Sequence, residues 1–60
     1  MKSRDLIKLL KDNGWVLERI EGSHHIFTKA GRRAVPVPIH GGQDIPKGLA
    51  HKILKEAGIK

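Results

Sequence analysis

The sequence predicts an α+β domain in the order α-β-β-β-α, with two helices on one face of a three-stranded antiparallel sheet. Three observations carry that reading. Leucine and isoleucine recur at helical spacing near both ends of the chain. The middle alternates apolar and polar residues in three short runs. Glycine-bearing tight turns separate those runs, which is the mark of antiparallel hairpins.

The first helix is expected over residues 4–13. Ser3 is placed to cap it, its hydroxyl accepting an N–H of the first turn, and Leu6, Ile7, Leu9 and Leu10 form the apolar stripe between Arg4, Lys8 and Lys11. Asn13-Gly14 ends it, because glycine takes the left-handed conformation of a helix stop. Trp15 to Ile20 reads as the first strand, with Trp15, Leu17 and Arg19 on one face and Val16, Glu18 and Ile20 on the other. Glu21-Gly22 is read as a turn, Ser23 to Lys29 as the second strand, Ala30-Gly31 as a second turn and Arg32 to Pro38 as the third strand. Pro36 and Pro38 cannot donate ladder hydrogen bonds, so the third strand is an edge. His40 to Gln43 reads as a loop. Asp44 is placed to cap the last helix, with Pro46 in its first turn. Leu49, Ile53 and Ala57, widened by Leu54, form its stripe, and Gly58 stops it. Nothing else is available to bury the two stripes, so both helices pack on one side and the other face of the sheet stays wet.

Sixty residues make one domain, residues 1–60, and a chain this short buries only roughly 60% of its unfolded surface. A small aliphatic core is feasible and a deep enclosed cavity is not, so any chemistry belongs on an open face. The absence of cysteine excludes disulfides, thiolate metal sites and thiol nucleophiles. No apolar run approaches the roughly 20 residues of a membrane span. Met1 to Asp5 leads into a charged amphipathic pattern rather than a signal-peptide core. A cytoplasmic protein with no membrane partner and no small-molecule cofactor is therefore expected. Twelve Lys and Arg against six Asp and Glu give a formal net charge of +6. The basic residues cluster at Lys29, Arg32 and Arg33 and again at Lys47, Lys52 and Lys55, the footprint of a surface that binds a polyanion.

The chemistry-bearing stretch is Gly22-Ser23-His24-His25. Histidine ordinarily titrates near pH 6.5, so it both takes and gives a proton near neutrality. RNA supplies its own nucleophile, the 2′-hydroxyl, and positioned acid–base catalysis contributes about 10²–10⁴-fold. His24 and His25 are the catalytic candidates. Strand alternation sets His24, Ile26 and Thr28 on one face and His25, Phe27 and Lys29 on the other. Phe27 as the core anchor leaves His24 on the open face; Ile26 inward with His25 outward is the alternative. Lys29, Arg32 and Arg33 are candidates for stabilising charge on the phosphate. Gly22 allows close backbone approach or simply makes the turn, and Ser23 orients a histidine or a phosphate or simply begins the strand. Lys47 adds a charge to a helix N-terminus, which attracts phosphate. His40 is a weaker candidate for the second proton-transfer group. The histidines lack standard zinc spacing and the acids show no paired-carboxylate signature, so no metal is expected.

These residues together resemble the HicA (YcfA-like) family of bacterial mRNA interferase toxins. Leu6-Ile7-x-Leu9-Leu10, Asn13-Gly14-Trp15, Gly22-Ser23-His24-His25-x-Phe27, Val35-Pro36-Val37-Pro38, Asp44-Ile45-Pro46-x-Gly48 and Ile53-Leu54-x-x-Ala57-Gly58 follow the family pattern in order. The resemblance implies a double-stranded-RNA-binding-domain-like fold, metal-independent endoribonuclease activity through His24, a role for Gly22 as a motif residue, and a HicB-like antitoxin partner. The doubled histidine leaves open whether His25 shares the work. The first strand connection is too short to reach successive grooves of a duplex, so single-stranded mRNA is the expected substrate. A non-catalytic RNA-binding module and a protein-binding adaptor are the competing readings.

Overall fold

The computed structural model describes residues 1–39 and 44–59. Five elements follow in order: α1 (Ser3–Asp12), β1 (Val16–Glu21), β2 (His24–Thr28), β3 (Val35–Pro38) and α2 (Lys47–Glu56). The strands pair antiparallel in the order β1-β2-β3. This is the α-β-β-β-α arrangement that the patterning predicts, in a double-stranded-RNA-binding-domain-like fold.

Leu6 and Leu10, one helical turn apart, carry α1 into the core, and Ala50, Ile53 and Ala57 do the same at the other end of the chain. They meet Trp15, Phe27, Val35, Val37 and Ile45 in a single cluster. Phe27 pairs with Val35, and its neighbour on the same face, His25, pairs with Val37. One face of the sheet therefore takes both helices, as the patterning requires.

Neither predicted cap forms. Ser3 is the first residue of α1 rather than its cap, and extended Lys2 holds the cap position with no side-chain bond. The Lys2 carbonyl accepts from Asp5 at 3.0 Å and Leu6 at 3.1 Å. Asp44 does not cap α2 either; Pro46 stands there. A short antiparallel bridge explains both outcomes. Lys2 pairs with Asp44 through backbone and through a 3.5 Å ion pair, and the Ile45 N–H donates to the Met1 carbonyl at 2.7 Å. This bridge straightens the residues ahead of each helix and outcompetes local side-chain capping.

Both helices stop as predicted. Gly14 and Gly58 take φ of 89° and 74°. In α1 the Gly14 N–H donates to Lys11 and that of Trp15 to Leu10; in α2 those of Gly58 and Ile59 donate to Lys55 and Leu54. That double closure is the Schellman pattern. A Cβ at Gly58 would lie 2.9 Å from Arg32 Nη2. Gly58→Ala is expected to cost about 1–2 kcal/mol from the left-handed backbone alone. A thermal melt will show it as a fall of roughly 5–15 °C.

The strands depart from the patterning at several points. β1 carries a bulge between Leu17 and Arg19, which pair with Phe27 and Ile26 respectively. The extra residue reverses the alternation beyond Leu17. Arg19 therefore joins the face of Ile26, and Ile20 joins that of His25, where it stays exposed on the outer strand. The first turn is Gly22-Ser23, one residue later than expected, with Gly22 at φ 60°. This is the glycine-first pattern of a two-residue hairpin. β3 begins at Val35 rather than Arg32, because the Arg32 N–H closes a turn on the Lys29 carbonyl at 3.0 Å and the Arg32 guanidinium donates to the Glu56 carbonyl at 3.2 Å.

Pro36 and Pro38 make β3 an edge, as predicted. The Ile39 N–H donates inward to Ser23 at 2.7 Å, so residues 35, 37 and 39 point their nitrogens at β2 and the prolines stand at the outward positions. The outer side of β3 thus loses the donors at those two positions.

Candidate functional site

The β2 ladder decides where the imidazoles go. His24 pairs with Glu21 on β1 and Pro38 on β3, and Ile26 pairs with Arg19 and Pro36. Directly paired residues share a face, so these residues lie on the side of the sheet away from the main core cluster, with His24 exposed and Ile26 buried. Phe27, fully buried, takes the other face and carries His25 with it. His24 is exposed; His25 is half-buried between Ile20 and Val37, and its Nδ1 has no hydrogen-bond partner among the described residues. The two rings are therefore sent to opposite sides of the sheet and do not form one site.

His24 lines a groove of about 210 Å³ between the sheet and α2. Its sheet wall is His24, Pro36 and Pro38, and its helix wall is Leu49, Lys52, Ile53 and Glu56. A second hollow, about 360 Å³, lies against Arg32, Arg33, Ala34, Val35 and Glu56. Glu56 borders both hollows.

The basic candidates are dispersed. Arg32 and Arg33 line the second hollow rather than that of His24, and Arg32 is tethered to α2 through the Glu56 carbonyl. Lys29 is not brought to His24. Its ammonium donates to the Asn13 carbonyl at 2.8 Å, and five strand residues separate it from His24, about 16 Å at 3.3 Å per residue. Lys47 is exposed at the first position of α2. Gly22 and Ser23 form the turn that leads directly into His24. A Cβ at Gly22 would meet nothing within 4 Å, so its left-handed backbone rather than crowding within the fold requires glycine there. Ser23 is half-buried and its carbonyl is taken by Ile39. His40 lies outside the described residues.

Lys52 and Glu56 are groove residues that strand-centred reasoning misses. Their signal was spacing: positions 49, 52 and 56 share one flank of a helix. Helical spacing does not show which strand face that flank will border. On the β1 side of the open face, Arg19 pairs with Glu21 and Glu18. The Glu21 hydrogen bond and charge, with a smaller contribution from Glu18, hold the Arg19 guanidinium above its ordinary pKa.

The arrangement defines a small basic α+β protein with an exposed histidine at the start of the central strand. The family described as "HicA toxin of bacterial toxin-antitoxin" matches residues 3–59. The chain belongs to the HicA toxin family of toxin–antitoxin systems, and membership implies an antitoxin partner. No curated protein matches the chain closely enough to count as a relative. No described helix is long and apolar enough to cross a membrane.

Proposed function

We propose that this toxin is a metal-independent endoribonuclease, an mRNA interferase, in which His24 is the proton-transfer group. The observation that carries the reading is an exposed imidazole on the sheet, lining a groove that also presents Lys52. His24 takes the proton of a ribose 2′-hydroxyl. The 2′-oxygen forms a bond to phosphorus, the bond from phosphorus to the 5′-oxygen breaks, and that oxygen takes a proton from the water an open groove admits. The products are a 2′,3′-cyclic phosphate and a 5′-hydroxyl. Positioned proton transfer of this kind is worth about 10²–10⁴-fold.

The substrate is single-stranded message. The β1–β2 connection is only Gly22-Ser23, too short to reach a second groove of duplex RNA. Gly22 and Ser23 bring backbone close to the ribose beside His24, while Arg32, Arg33 and Lys47 hold flanking phosphates. Lys29 contributes general positive potential rather than contact at the cleaved bond. A HicB-like antitoxin inhibits by covering the open face and its groove together.

The reading is tested in cells by inducing the intact gene beside a His24→Ala copy. Growth arrest with loss of total mRNA is expected from the intact gene alone, and co-expression of the antitoxin should relieve it. Equal growth of both cultures with both proteins present overturns the enzyme reading. Tight RNA binding without cleavage would identify a binding module instead.

A further inference from the structure

Resting on that reading of His24, we propose that Lys52 of α2 binds the scissile phosphate of single-stranded RNA across the groove from His24. Both residues line the same groove, one from the helix and one from the sheet. A phosphate lying between them meets an ammonium on one side and an imidazole on the other.

Lys29, Arg32 and Lys47 are placed elsewhere. Lys29 is engaged with Asn13 at the far end of β2, and Arg32 is engaged with the Glu56 carbonyl. Lys47 precedes Lys52 by five residues, about 7.5 Å along the helix axis at 1.5 Å per residue. Lys52 itself is exposed and takes part in no ion pair among the described residues. Glu56, four residues on, is the acid of the groove, but lysine N-terminal to glutamate is the weaker order for such a helix pair. Ile53 is buried and Leu49 half-buried, an apolar bed along which a lysine stem lies while its ammonium stays in water.

The role is electrostatic. Negative charge grows on the non-bridging oxygens as the 2′-oxygen closes on phosphorus, and a fixed positive charge aimed there lowers the barrier. Lys52 contributes charge only and exchanges no proton with the substrate. Pro36 and Pro38 face it with rigid apolar surface against which the nucleotide rests.

The test compares Lys52→Met, Lys52→Arg, His24→Ala and, as a charge-matched control, Lys8→Met. Lys8 pairs with Asp12 on the exposed side of α1. Each is assayed for cleavage of a single-stranded RNA in EDTA and for binding of the same sequence made uncleavable by 2′-O-methylation. Lys52→Met is expected to lower kcat/KM by about 10²–10³-fold, as loss of one such charge-stabilising group does, and to reduce the log–log salt slope of binding by about 0.7. Lys52→Arg should recover most of the activity, and Lys8→Met should stay within about threefold of the parent, the small effect expected of an exposed charge outside the site. Lys52→Met behaving like Lys8→Met in both assays, while His24→Ala is inactive, overturns the assignment of Lys52 and leaves His24 standing. A His24→Ala protein as active as the parent overturns the enzymatic reading instead. The binding arm reports on Lys52 in either case.

Discussion

His24→Ala will remove RNA cleavage while leaving the protein folded. The side chain is exposed at the first position of β2 and no hydrogen bond from it is seen among the described residues, so its truncation takes little from the core. The expected loss is about 10²–10⁴-fold in kcat, the range for a positioned proton-transfer group. Trp15, the sole tryptophan, is buried, and its emission checks that the variant is folded. His25→Ala is the informative companion. That ring sits beside Val37 on the helix-covered face, so its loss should lower the melting temperature and leave the folded fraction active. A reversed outcome, with His25→Ala folded and inactive and His24→Ala active, would move the chemistry to the wrong side of the sheet for this account.

Phe27→Ala will unfold the chain or nearly so. Phe27 is fully buried between Leu17 on β1 and Val35 on β3. It joins the sheet to both helices through the single core cluster. Truncating a buried phenylalanine costs about 3–5 kcal/mol. At roughly 0.05–0.15 kcal/mol per residue, a domain this size holds only about 3–9 kcal/mol in total. Circular dichroism should show a melt lowered by tens of degrees or no cooperative transition, with Trp15 emission shifted to the red at 37 °C. The partner variant Ile26→Ala, buried on the opposite face of the sheet and outside the main cluster, should cost less. A Phe27→Ala protein melting within a few degrees of the parent would mean the core is not organised around this side chain.

The order of elements was legible because each is driven by a local period. Leu6 with Leu10 and Ile53 with Ala57 carry the helical one, although Ala50 rather than the expected Leu49 is the buried residue of the first turn of α2, and Phe27 with Val35 and Val37 carry the face of the sheet. Glycine stops were legible for the same reason: Gly14 and Gly58 act on their own helices. What local reasoning missed came from contacts between distant residues. Ser3 and Asp44 look like caps, but pairing of Lys2 with Asp44 claims the segments they sit in. The bulge at Glu18 leaves no glycine or proline as a warning, so Arg19 and Ile20 were assigned to the wrong faces. The outward placement of His24 followed from anchoring Phe27 in the core. The groove did not follow, because Lys52 reaches it only through the way α2 packs beside β3.

The central claim is that an imidazole on the open face turns the ribose's own hydroxyl against the adjacent phosphate. The most direct measurement is of the ends left on a single-stranded RNA cleaved by the purified toxin in EDTA. The account predicts 2′,3′-cyclic phosphate and 5′-hydroxyl ends, with cutting abolished at a position carrying 2′-deoxyribose. Ends of 3′-hydroxyl and 5′-phosphate, or cleavage that appears only with added magnesium, would contradict it.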